Sequence, residues 1–167
     1  MSRIACSTSS LVYLYRINGL QWLPGLFDEV LVASFVLEEL LEGRFDGFDV
    51  PNMLEFSWVK FSDPQLTIPS EWVAVELSRG DLITLSLALE NSPCTALVDD
   101  AVTRRAGRLV GLTIKGTLGV LLDAKNRNLI KQVSRYVNRF SRTGIWLSDD
   151  IRNRILTLAG ENKSAEE

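Results

Sequence analysis

The sequence predicts an α/β domain in three layers, α/β/α, around a central parallel sheet. Three observations carry this. Short, largely apolar runs (Ile4-Ala5-Cys6, residues 29–33, Thr95-Ala96-Leu97-Val98 and residues 112–114) alternate with longer stretches of helical periodicity. These runs lack an in–out alternation, as befits strands buried on both faces. Residues that start helices follow the runs and glycines close the periodic stretches, so each strand leads into a helix that returns the chain for a parallel neighbour.

In order, Ile4-Ala5-Cys6 is the first strand, and Ser7-Thr8-Ser9-Ser10 is a run of capping residues before an apolar helix over 11–17. Residues 29–33 form the second strand. Ser34 is placed to cap a helix over 35–42, with Gly43 as its stop. Residues 44–56, holding Gly47 and Pro51, read as irregular, and 57–61 (SWVKF) as a strand near a sheet edge. The stretch 63–70, with Pro64 and Pro69, is a connector within one domain. Arg79-Gly80-Asp81 opens the helix LITLSLALE, which is apolar nearly all round and therefore buried. After the strand ending at Val98 come Asp99 and Asp100. A helix follows in which Val102, Ala106, Leu109 and Val110 share one face and Gly111 ends it. Gly116-Thr117 starts the helix LGVLLDAKN. Val133, Tyr136, Val137 and Phe140 mark another that stops at Gly144. The last begins after Ser148, with Asp149 and Asp150 in its first turn, and ends at Gly160. One domain over 1–161 is expected, with 162–167 a frayed tail.

At 167 residues, 46% of them hydrophobic, the chain suits a single globular domain. No run reaches the ~18 apolar residues of a membrane span, and the N-terminus lacks a basic-then-apolar leader, so no membrane association and a cytoplasmic location are expected. Cys6 and Cys94 are too few for a disulfide framework and read as buried thiols. The four tryptophans, Trp22, Trp58, Trp72 and Trp146, read as core residues by default.

Histidine is absent. That excludes Ser-His-Asp and Cys-His nucleophilic chemistry, imidazole acid–base catalysis and His-ligated metals. A hydrolytic enzyme of this composition is left with carboxylates, water and a hard cation. The net charge of −3 is unevenly spread: residues 1–100 hold 5 Lys and Arg against 15 Asp and Glu, and residues 101–167 hold 13 against 6. An acidic, cation-binding region beside a surface able to meet a phosphate backbone fits that asymmetry, as does an Arg-rich but merely solvated pair of helices. Arg104, Arg105 and Arg108 flank the acidic turn, and Lys131, Arg135, Arg139 and Arg142 recur at spacings of three or four.

Several acids fall where a strand ends or a helix begins: Asp81, Asp99 and, about one turn inside a helix, Glu38 or Glu39. Acids at such places serve as helix caps and macrodipole partners as readily as they serve a site. Their meaning depends on convergence at one sheet edge, the place where ligands bind in parallel α/β folds.

The succession S-T-S-S-L, V-x-x-E-L, G-D-x-x-x-L and L-V-D-D followed by R-R-A-x-R-L-x-G-L resembles the PIN-domain superfamily. The runs GLTIKGTLGVLLDAKNRNLI and GIWLSDDIRNRILTLAGE are similar to a prokaryotic branch close to the VapC-type toxins. The resemblance implies a toxin-like endoribonuclease that uses Mg²⁺ or Mn²⁺ held by four acids, with RNA as substrate, an antitoxin-like protein as partner and homodimer formation. Residue by residue, Glu39 matches the acid of the second helix, Asp81 the acid after the glycine and Asp99 the strand-end acid. Asp100 stands beside it as a further ligand or a helix cap. On this resemblance Glu39, Asp81 and Asp99 would be catalytic and would hold the metal with Asp100 and Ser7. Arg104, Arg105, Arg108, Lys131 and Arg135 would contact RNA. The branch reads D-T-S-P-L where this chain has Ser7-Thr8-Ser9-Ser10-Leu11, so Ser7 stands in place of the first acid. A hydroxyl there supplies an oxygen without a charge, which weakens a hard-cation site. The alternative is a non-catalytic PIN-fold module that binds nucleic acid or protein.

Overall fold

The computed structural model describes residues 1–143 and 145–161. Five short strands, β1 (Arg3–Cys6), β2 (Glu29–Val32), β3 (Val59–Phe61), β4 (Thr95–Leu97) and β5 (Thr113–Lys115), form one sheet in the order β3-β2-β1-β4-β5. Every pairing is parallel. Ile4 of the central strand stands opposite Val30 on one side and Thr95 on the other, and Cys6 stands opposite Leu97. Ile4, Ala5 and Cys6 are all buried, as expected of a strand covered on both faces.

The helices are α1 (Thr8–Arg16), α2 (Leu23–Leu26), α3 (Ser34–Phe45), α4 (Arg79–Glu90), α5 (Ala101–Leu109), α6 (Thr117–Asn126), α7 (Ser134–Arg142) and α8 (Asp149–Leu158). From β1 the chain steps outward to β2 and β3, whereas from β4 it steps the other way to β5. Right-handed crossovers therefore put α1 and α3 on one face and α4 and α5 on the other. The contacts agree: α4 packs on β1 and β4, α5 on β5, and α6 joins α1 and α2. The three-layer α/β/α architecture is as predicted, with β3 at an edge.

Local differences have local causes. Helix α1 begins at Thr8 rather than Leu11, because the Ser7 oxygen accepts from Ser10 N and caps the helix three residues early. Ser34 is the first helical residue of α3 rather than its cap. Its N–H and hydroxyl both donate to the Asp63 carboxylate at 2.7 Å, so the connector supplies the cap. Gly43 does not stop α3; a Cβ there would come within 3.2 Å of Val50, so the glycine makes room for that side chain. The turn comes instead at Gly47, with φ +87°. Helix α2 was hidden because Leu-Pro-Gly-Leu contains two helix breakers. Gly111 (φ +80°) and Gly160 (φ +71°) end their helices, and Ser148 caps α8, all as expected. Gly144 and 162–167 lie outside the described residues.

Trp22 meets Tyr136 edge-on at 4.8 Å, and Trp72 is buried with its indole N–H donating to Ala106 O at 2.8 Å. Trp146 departs from the core expectation and is 82% exposed. Among the described residues no helix is long and apolar enough to cross a membrane.

Candidate functional site

The strand order reverses direction between β1 and β4, and the crevice outside their carboxyl ends is where a parallel sheet leaves space for a ligand. Ser7 follows β1 and Asp99 follows β4. The backbone N–H of Ser7 donates to Leu97 O at 3.0 Å and ties the two strand exits together.

Asp99 is held from both sides of this crevice. Its Oδ2 accepts from Ser10 Oγ at 2.6 Å and from Thr117 Oγ1 at 2.6 Å, and its Oδ1 accepts from Thr117 N at 2.9 Å. The carboxylate thus sits at the first turns of α1 and α6, where the helix dipoles favour negative charge. Ser7 Oγ donates to Ser10 Oγ at 3.0 Å, so two buried serines relay from Ser7 through Ser10 to the half-buried Asp99. Ser7 and Ser10, the two positions at which the sequence departs from D-T-S-P-L, contact each other.

Asp100 caps α5: its Oδ2 accepts from Thr103 N at 2.9 Å. The bonds from the Thr103 N–H and hydroxyl hold its carboxyl below the usual range. Thr103 Oγ1 also lies 2.9 Å from Asp81 Oδ2 and 2.9 Å from Asp100 Oδ2. It has one proton to share between them. Asp81 itself is placed by Ser78, which caps α4 by accepting from Asp81 N. Glu39, on α3, accepts from Thr8 Oγ1 at 2.8 Å. A Cβ on Gly80 would lie 2.8 Å from Glu39 Oε1, so the absence of a side chain there lets the first turn of α4 approach this carboxylate.

Every predicted acid therefore lies at or beside the carboxyl edge, yet each is engaged by a hydroxyl: Asp99 by Ser10 and Thr117, Glu39 by Thr8, and Asp81 and Asp100 by the shared hydroxyl of Thr103. The donor set is the hard-oxygen chemistry a divalent cation takes. As placed, however, among the described residues no three Asp, Glu or Cys side chains stand close enough together to hold one metal ion. The arrangement does not fit a preformed cation cage.

The basic residues divide into two places. Arg104, Arg105 and Arg108 line a groove with Lys115, Gly116 and Asp99. Arg104 donates to Val98 O at 3.3 Å. A Cβ on Gly116 would come within 2.4 Å of Arg104 Nη1 and 2.9 Å of Asp99 Oδ1, so Gly116 admits both groups to the same corner. Lys131 and Arg135 line a different cavity with Leu129 and Tyr136. Helix α6 carries the chain from the carboxyl edge back across the sheet, and Leu129 comes against Gly25 just before β2 begins, at the opposite edge. These two residues do not join the acids. Arg139 is occupied by Ile17 O and by the ring of Tyr136.

Sequence reasoning missed Ser10, Thr103, Thr117 and Lys115. Thr103 was findable, since the third residue after a capping Asp is where its carboxylate looks for a donor. The role of Ser10 and Thr117 depends on which strand exits are neighbours, which no local pattern carries.

The family model DUF3368, a PIN domain, matches residues 3–161. No curated protein and no solved structure matches the chain.

Proposed function

The chain belongs to the PIN-domain family, whose members bind nucleic acid and are often nucleases, and from that premise we propose that it binds single-stranded RNA at the carboxyl edge of its sheet, with a degenerate endoribonuclease site that turns over slowly. The observation that carries this is the groove of Arg104, Arg105 and Arg108 running up to Asp99 at the strand switch point, with Lys115 in its wall and ion-paired to Asp123. Guanidinium groups there would take the phosphates, while Asp99 would lie at the reacting end.

PIN domains generally use divalent metal ions. Here Mg²⁺ or Mn²⁺ would be the ion, a hard cation for an all-oxygen site in a chain without histidine. Its use on this edge requires the carboxylates to leave their hydroxyl partners. Ser7 supplies no charge to draw them together. Hydrolysis is accordingly expected to be slow beside that of a four-acid relative.

The second reading, a non-catalytic nucleic-acid-binding module, is favoured by one observation, the separation of the acids into hydroxyl-bound sets. Both readings require the groove to bind RNA. Equilibrium binding of a single-stranded oligoribonucleotide should weaken steeply with salt, with the logarithmic slope reduced by ~0.7 for each phosphate contact removed in Arg105→Gln/Arg108→Gln. Binding that ignores salt, or that the double variant leaves unchanged, would refute the assignment.

A further inference from the structure

Trp146 is 82% exposed, whereas Trp22 and Trp72 are each 3% exposed. A single exposed apolar residue is ordinary. The position of this one is informative. With Tyr13, Phe140 and Leu147 it lines a cavity whose other wall includes Asp99 and Thr117. That cavity and the cationic groove share Asp99 and Leu118, so they are adjoining halves of one cleft. One half presents Arg104, Arg105 and Arg108 beside a Lys115 whose ammonium is ion-paired with Asp123; the other presents aromatic and aliphatic surface together with Asp99 and Asp100.

A phosphate is repelled by the second half and attracted by the first. A nucleobase has the reverse preference, since its face is apolar and its charge is nil. The division of the cleft matches an unpaired nucleotide, with phosphate and base on opposite sides. Proteins that hold single strands use this pairing of a basic track with an aromatic stacking surface.

We propose that Trp146 is a base-stacking residue, on whose indole face an unpaired base of single-stranded RNA lies while the adjoining phosphates occupy the Arg104–Arg108–Lys115 groove. The inference rests on the RNA-binding reading above and adds to it a positioning residue. Stacking is indifferent to which base is present, because every base has a π-face. Trp146 thus confers a requirement for unpaired bases rather than a sequence preference.

The test compares two probes of equal length, an oligoadenylate and an abasic sugar–phosphate oligomer, against the wild-type chain, Trp146→Ala and Trp146→Phe. Trp146→Ala should bind the oligoadenylate about tenfold or more weakly, Trp146→Phe should recover much of the loss, and the abasic probe should bind all three alike. Binding of the oligoadenylate should also change the indole fluorescence of the wild-type chain, and Trp146→Phe should lack that change. Unaltered oligoadenylate binding by Trp146→Ala, alongside weakened binding by Arg105→Gln/Arg108→Gln, would overturn the stacking role and leave the groove standing. An equal loss on the abasic probe would overturn it as well, showing a structural effect of the substitution. Failure of the wild-type chain to bind either probe would overturn both the groove and the stacking residue.

Discussion

The Ser10 hydroxyl donates to Asp99 Oδ2 at 2.6 Å, and behind it Ser7 donates to Ser10 at 3.0 Å. The acid at the exit of β4 is thus held by a relay that starts at Ser7, at the exit of β1. A carboxylate so engaged has fewer lone pairs to offer a cation, and the two serines that hold it are themselves buried.

This relationship predicts how the site responds to a metal. Millimolar Mn²⁺ should raise the melting temperature of the native chain only slightly and that of Ser7→Asp/Ser10→Pro substantially. A ligand at 100 times its dissociation constant stabilises the native state by ~2.7 kcal/mol. Proline is tolerated in the first helical turn, so the double variant should fold. Asp99→Asn should abolish the rise in either background. An undiminished rise in Asp99→Asn would place the ion elsewhere.

A second prediction concerns the far end of the molecule. Glu161 accepts from Val133 N at 2.7 Å, Ser134 N at 3.0 Å and Lys125 Nζ at 2.8 Å, joining the start of α7 to the end of α6. Partial burial opposes its charge, but these bonds prevail and hold its carboxyl at about 2, below an ordinary value of 4.5. The folded value is the depressed one, so the stabilisation is complete above about pH 4.5 and is lost as the pH falls toward about 2. Urea unfolding should show Glu161→Gln less stable than the native chain by roughly 2 kcal/mol at pH 7. The gap should narrow at pH 3, and a gap independent of pH would contradict this.

Much of the fold was legible because its signals are local. Residues 4–6 and 96–98 are apolar and buried, Ser148 and Asp100 sit where helix caps belong, and Gly111 and Gly160 take the positive φ that a helix stop requires. Gly43 misled because its missing side chain serves Val50 rather than a turn. Ser34 misled because the true capping group, Asp63, lies 29 residues away. The site was legible in part for the same reason. Asp99, Asp81 and Glu39 could be marked by their places at strand and helix ends; they lie along one edge, but among the described residues no three acids come within reach of one ion. Their hydroxyl partners could not be marked: the pairing of Ser10 with Asp99 spans 89 residues and exists only because β1 and β4 are neighbours. Likewise the basic residues of the C-terminal part look like one group in sequence, but α6 carries Lys131 and Arg135 to the opposite edge.

The most direct test of the account is the rate of Mn²⁺-dependent cleavage of single-stranded RNA by the native chain beside Ser7→Asp/Ser10→Pro, with RNA binding measured on both. The account predicts equal folding, similar RNA affinity and cleavage faster by ~10²-fold or more in the variant, the scale expected for one preorganised electrostatic group. Cleavage by the native chain as fast as by the variant would contradict it, as would a variant that binds both Mn²⁺ and RNA and still leaves the RNA intact.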